Sequence, residues 1–221
     1  MPVNELNIDL FISTQCPHCT QALEILSTAV KEGSISGLKI TNLNTLSNPE
    51  QYAHIRSVPF IQVGDFEFTG NLKKSELDAW VQASQNSNFA SYYFSTLLMD
   101  GQINQVENFI KRKPNYWFEL VKLAQDEDTK MQVRIGITAI FESSSNAIEG
   151  IPQRDEMISS LLKATQTKNH ALRVDLIYIL SLIFTGLKNN QKVHGQLKEF
   201  MTLALNDASD EIQEIAEDVL N

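Results

Sequence analysis

Leu6-Asn7-Ile8-Asp9-Leu10-Phe11-Ile12, a polar trio Ser13-Thr14-Gln15, and then Cys16-Pro17-His18-Cys19 stand near the start of the sequence. Their order decides how the first part of the chain is read. The apolar-rich run 6–12 predicts a β-strand, and from Cys16 to Lys31 the residues Ala22, Leu23, Leu26, Ala29 and Val30 fall on one face of a helix. Both cysteines therefore sit between a strand and the first turn of a helix. A helix N-terminus presents unpaired N–H groups and a partial positive charge, so a cysteine there is favoured as thiolate, the form that attacks sulfur. Cys16 is thus the expected nucleophile. Two intervening residues bring the sulfur of Cys19 within bonding reach, and Pro17 tolerates the missing N–H of an opening turn. A reversible disulfide is expected, with His18 adding a donor or a positive charge that favours the reduced thiolate and a more oxidising potential.

Outward from this point the chain keeps alternating. Gly33 and Gly37 bracket a turn, Leu38 to Leu43 reads as a second strand, and Pro49 opens a short helix over Pro-Glu-Gln-Tyr-Ala-His-Ile. Phe60–Val63, a Gly64-Asp65 turn and Phe66–Thr69 read as a hairpin, and Leu72, Leu77, Trp80 and Val81 give a closing amphipathic helix. The order β-α-β-α-β-β-α over residues 1–85 describes one small α/β sandwich.

A strand, Cys-Pro-His-Cys, a helix, and Ser57-Val58-Pro59-Phe60 leading into a hairpin followed by Gly70 together resemble the thioredoxin fold. The element order is similar to that of glutaredoxins and small protein disulfide oxidoreductases, and the resemblance covers residues 1 to about 85. It implies a thiol-disulfide oxidoreductase in which Cys16 attacks, Cys19 resolves, and no cofactor beyond the redox-active disulfide is used. It further implies that Pro59 is cis and lies against the dithiol, with the backbone of Val58 bonding an extended substrate segment. The tetrad also resembles that of periplasmic disulfide oxidases, whose inserted helical domain and export signal are not seen in this sequence. Thioredoxins proper carry a buried Asp at the position held here by Leu10, so proton transfer from Cys19 needs another route or is slower.

Gln85-Asn86-Ser87-Asn88 suits a linker, and beyond it the periodicity is helical throughout. Helical spacing covers segments near 89–100, 102–112, 115–125, 130–143, 154–166, 170–186, 191–206 and 209–220, broken at Gly101, Pro114, Gly150-Ile151-Pro152 and Gly186. Three later segments overlay: Val133-Arg134 with Ile137 and Ile140, Leu172-Arg173 with Leu176 and Ile179, Ile212-Gln213 with Ala216 and Val219. A spacing of about 40 residues is that of an α-solenoid of helical pairs, and residues 89–221 resemble HEAT-like repeats, the third copy departing at Gln213. An unrelated helical bundle is the alternative. Arg134 and Arg173 are expected to bridge neighbouring repeats.

Composition narrows the function. The chain has 221 residues, 43% hydrophobic, with 18 Lys+Arg against 27 Asp+Glu and a formal net charge of -9. An acidic chain whose one short basic run is Lys111-Arg112-Lys113 is poorly placed to neutralise phosphates or to sit on anionic lipid, so nucleic acid and membrane are not expected partners. The longest nearly apolar stretch, Leu176 to Phe184, is too short to span a bilayer, and Asn4, Glu5 and Asp9 interrupt any apolar export signal. A cytoplasmic setting is expected. Two cysteines are no disulfide framework for a protein of this size. A Cys-x-x-Cys with a neighbouring His is also half of a zinc or iron site, but there is no further cysteine and His54, His170 and His194 lack ligand spacing, so no metal is expected. Trp80, Trp117 and Tyr92-Tyr93-Phe94 read as core. The leading reading is a thiol-disulfide oxidoreductase whose helical domain binds a protein partner. The alternative is an interaction scaffold in which the redox fold only docks.

Overall fold

The computed structural model describes residues 6–48, 50–187 and 191–220. By backbone packing it divides into two compact units, 1–92 and 93–221.

In the first unit, β1 (Asn7–Ile12), β2 (Gly37–Asn42), β3 (Phe60–Val63) and β4 (Phe66–Thr69) form one sheet in the order β2-β1-β3-β4. β1 pairs parallel with β2 and antiparallel with β3, and β3 pairs antiparallel with β4. The register aligns Leu10 with Ile40 and Ile61, and Ile61 with Phe68. Because side chains alternate along a strand, Ile8, Leu10 and Ile61 share one face, and there they meet helices α1 (Pro17–Glu32) and α2 (Lys74–Gln85). Ala22, Leu26 and Ala29 from α1 and Leu77 and Trp80 from α2 are buried in this core, and Trp80 stacks on Phe68 with ring centroids 4.2 Å apart. Each large side chain buried here contributes about 1.5–3 kcal/mol. Phe89 and Tyr92 also pack on it. Gly33 ends α1 at φ +75°, its N–H bonding the last turn, a left-handed position that glycine takes without steric cost.

The opposite face of the sheet carries Phe11 and Phe60, joined by Tyr52 and His54 in a ring cluster with centroids 5.2–6.0 Å apart. The sequence reading put a short helix here. It is a short 3-10 helix, Glu50–Tyr52, preceded by another at Leu43–Thr45, and Pro49, read as its opening residue, lies outside the described residues. The apolar positions of 50–55 are too few to bury a helical stripe, and Ala53 and His54 are exposed. Asn42 and Asn48 instead cap the turns, each accepting a backbone N–H two residues on. Asn4 and Glu5, invoked against an export signal, lie outside the described residues too.

The rest is helical among the described residues: α3 (Phe89–Met99), α4 (Ile103–Arg112), α5 (Trp117–Gln125), α6 (Met131–Ser144), α7 (Arg154–Ala164), α8 (His170–Gly186), α9 (Gln191–Ala204) and α10 (Asp210–Leu220). Within the second unit α6 packs on α4 and α8, α8 also on α10, and α5 on α7. Val133, Ile137, Ile140, Leu172, Leu176, Leu180, Ile212 and Ala216 face these contacts and are buried. Phe94, Phe109 and Tyr116 form a ring cluster with centroids 5.1–6.2 Å apart, and Trp117 meets Phe141 at 5.0 Å. Gly186 ends α8 where a Cβ would fall 2.1 Å from the carbonyl oxygen of Ser145, so the close approach of the two backbones needs glycine.

Arg134 and Arg173 both join successive helices, by different partners. Arg134 pairs with Asp175 of α8 through Nε at 2.6 Å. The position equivalent to Asp175 forty residues on is Ile215, and Arg173 reaches instead to both carboxylate oxygens of Asp207 in the turn before α10. Gln213, standing where the third arginine would be, donates to the Asp207 carbonyl at 2.6 Å.

Candidate functional site

Cys16 is the N-cap of α1, extended at φ -90°, ψ 111°, with Pro17 the first helical residue. Proline is suited to that place because its φ is already helical and its missing N–H has no partner to lose. The Cys16 sulfur accepts the N–H of Cys19 at 3.1 Å, and that same N–H lies 3.2 Å from the Cys16 carbonyl. The cap group that Ser, Thr or Asp usually supplies is here a sulfur, held where the helix N–H groups converge. The two cysteines are joined in a disulfide with Cα atoms 5.3 Å apart. They are not equally open: Cys16 is half-buried, whereas Cys19, one turn into the helix, is 3% exposed. Pro17 and His18 lie between them on the surface.

The loop before β3 closes the site from the other side. The Val58–Pro59 peptide bond is cis, Pro59 is buried and Val58 half-buried, and the carbonyl oxygen of Val58 lies 3.5 Å from the Cys16 sulfur. Residues 42 positions apart in sequence thus face each other across the reactive sulfur. Val58 presents its backbone carbonyl to the outer sulfur of the disulfide. Leu10, in β1, is fully buried in the core, so that position holds no carboxylate.

Three supports escape the sequence reading. The side chain of Asn44 accepts the N–H of Thr14 at 2.9 Å and Asn42 donates to the Thr14 hydroxyl at 3.3 Å, pinning the loop that enters the dithiol. Gln21 donates to the carbonyl of Leu72 at 3.4 Å, tying the start of α1 to the segment that opens α2. These contacts span 28 to 51 residues, and surface Asn and Gln carry no periodic signal that could announce them.

The remaining histidines have partners of their own. His54 meets the edge of Phe60, His170 lies 3.8 Å from Glu211, and His194 stacks on Phe184 at 4.3 Å. Among the described residues no group of three or more His, Cys, Asp or Glu side chains is placed to hold a metal ion, and no helix is long and apolar enough to cross a membrane.

This geometry can do one kind of chemistry well. A sulfur at a helix N-terminus and a second sulfur bonded to it from within the helix are suited to thiol-disulfide exchange. No protein-family model matches the sequence. A thioredoxin of Methanocaldococcus jannaschii is 31% identical to it over 78 residues, which is 34% of this chain and 91% of that protein.

Proposed function

The chain belongs to the thioredoxin family, nearly the whole length of one member being matched in it, and from that premise we propose that it is a protein thiol-disulfide oxidoreductase of the cytoplasm. The observation that carries this reading is the Cys16–Cys19 disulfide at the start of α1, with its outer sulfur against Val58. In the reducing direction the Cys16 thiolate attacks one sulfur of a substrate disulfide and forms a mixed disulfide, and the other substrate sulfur leaves as a thiolate and takes a proton. Cys19, once deprotonated, attacks the Cys16 sulfur, releases the second substrate thiol and closes the Cys16–Cys19 bond. The reverse sequence oxidises a substrate dithiol. Cys16 is the nucleophile, Cys19 the resolving thiol, His18 and Pro17 tune the thiolate, and Val58 and Pro59 hold the substrate segment.

We assign the helical part to partner binding, as a HEAT-like stack of helical pairs. The α4-α6-α8-α10 contacts, the bridging Arg134 and Arg173 and the roughly 40-residue period support it. Such a stack offers a long continuous face, and the excess of acidic over basic residues beyond position 92 suits a protein rather than a nucleic acid.

The test is turnover of insulin, or oxidation of a model dithiol, against a Cys16→Ser control. Turnover above the control supports the oxidoreductase. Rates equal to the control leave the fold as a docking scaffold. A Cys19→Ser variant, which stalls at the mixed disulfide, then captures the physiological partner for identification by mass spectrometry.

A further inference from the structure

β1 and β2 run parallel and end side by side, Ile12 opposite Asn42, so the loop that enters the dithiol and the loop that leaves β2 start from neighbouring strand ends. Three residues there close a ring of hydrogen bonds. The Thr14 N–H donates to the side-chain oxygen of Asn44 at 2.9 Å, the Asn44 N–H to the side-chain oxygen of Asn42 at 3.1 Å, and the side-chain nitrogen of Asn42 to the Thr14 hydroxyl at 3.3 Å. Asn42 uses both ends of its amide, which fixes the way it points. Thr14 in turn is the second residue of the tight turn Ser13–Cys16, closed by the Cys16 N–H on the Ser13 carbonyl at 3.3 Å. The last residue of that turn carries the sulfur that caps α1 and faces the Val58 carbonyl. Thr14 and Asn44 are both exposed, so water could satisfy the Thr14 N–H at little cost in stability. What water cannot do is fix the direction in which the turn delivers Cys16.

We propose that Asn44 is a positioning residue for the exchange reaction, acting through Thr14 to hold the Ser13–Cys16 turn so that the Cys16 sulfur stays seated at the start of α1. This rests on the oxidoreductase reading and deepens it. While the disulfide is closed, the bond to Cys19 itself holds Cys16 in place. Reduction removes that tether, and the turn then keeps the sulfur where the helix N–H groups favour its thiolate. The ring therefore acts on the reduced protein, the form that attacks. One hydrogen bond changes such an equilibrium by roughly two- to tenfold.

The experiment uses the full chain and two readouts: alkylation of Cys16 by iodoacetamide in the reduced protein, and turnover of insulin with dithiothreitol as reductant, the Cys16→Ser rate subtracted. In Asn44→Ala, kcat and the alkylation rate at a pH of about 6, well below the free-thiol pKa of about 8.5, both fall by roughly two- to tenfold, and the fall of the alkylation profile moves to higher pH. Asn44→Asp, which keeps the acceptor oxygen, restores kcat in 1 M NaCl, where its added charge is screened beyond about 3 Å. Thr14→Val, which loses only the bond from Asn42, moves both readouts in the same direction by about twofold. An Asn44→Ala protein whose Tm falls while its kcat and Cys16 profile match the unsubstituted chain overturns the positioning role and leaves the oxidoreductase standing, as does an Asn44→Asp protein no faster than Asn44→Ala. If Asn44→Ala does not fold, an unchanged Cys16 profile in Thr14→Val overturns the role. Turnover by the unsubstituted chain no faster than Cys16→Ser overturns the oxidoreductase reading, while the alkylation profiles still decide whether Asn44 seats the sulfur.

Discussion

Reduce the disulfide, remove the reductant, and the two sulfurs should separate by reactivity. At pH 7 a free cysteine, with a pKa of about 8.5, is only about 3% thiolate. The Cys16 sulfur already accepts an N–H from inside α1 and sits at the positive end of the helix, both of which favour its charged form and lower its pKa. Below that pKa, each unit of lowering multiplies the thiolate tenfold. It costs about threefold in intrinsic nucleophilicity, leaving a net gain of about threefold per unit. Cys19 is governed by access, because a sulfur 3% exposed meets a reagent only when the helix start opens. An opening free energy of about 3 kcal/mol slows it by roughly a hundredfold. Alkylation by iodoacetamide, followed by peptide mass spectrometry over pH 5 to 9 on the order of one-unit steps, should therefore modify Cys16 first by about two orders of magnitude. Its rate should hold up well below neutral pH. His18→Ala should move the fall of the Cys16 rate to higher pH. Labelling of Cys19 first, or a Cys16 profile like that of a free thiol, would refute the reasoning and with it the catalytic assignment.

Other consequences are open to simpler measurement. Gly186→Ala should destabilise: helix propensity favours alanine by about 1 kcal/mol, but a Cβ 2.1 Å from the Ser145 carbonyl forces the backbones apart at about 1–3 kcal/mol, so a variant with a higher Tm would contradict the packing described. The Arg173 guanidinium holds the Asp207 carboxyl below its ordinary range, a lowering that burial only partly opposes. A lowered folded-state value means that the pair stabilises above the unfolded value and loses this contribution as pH falls through the folded one. Asp207→Asn should cost about 1.5–3 kcal/mol in denaturant unfolding at pH 7 and progressively less below about pH 4. A variant gap that stays constant on acidification would remove the pair from the account. Phe89 meets Phe66 and Phe68 at 5.1 and 6.1 Å, so a fragment 1–92 should outlast a fragment 1–85 by about 1–2 kcal/mol. Equal Tm values for the two would place Phe89 outside the first core. A fragment 93–221 should give a helical circular dichroism spectrum, and a strong β signal would count against the second unit as described.

Local chemistry was enough to fix much of this protein from sequence. The short apolar-rich runs 6–12, 60–63 and 66–69, bounded by turn residues, read as strands, and spacing in 17–31 and beyond residue 88 reads as helix because one stripe must be buried. Cys16 and Cys19 were legible for the same reason: a strand ending, two residues between sulfurs and a helix beginning are all local. In 49–55 only the short 3-10 helix Glu50–Tyr52 forms, because a longer one depends on a stripe to bury, and the chain supplies there Tyr52, Ile55 and an exposed Ala53. What tertiary structure alone decided are the meetings of distant residues. The carbonyl of Val58 beside the Cys16 sulfur, Asn44 holding Thr14, Gln21 reaching Leu72, and Arg173 turning to Asp207 because Ile215 stands where a carboxylate would repeat are set by how the elements pack. Hydrogen bonds and ion pairs between such residues leave no period in the sequence, since the distance along the chain is unrelated to the distance in space.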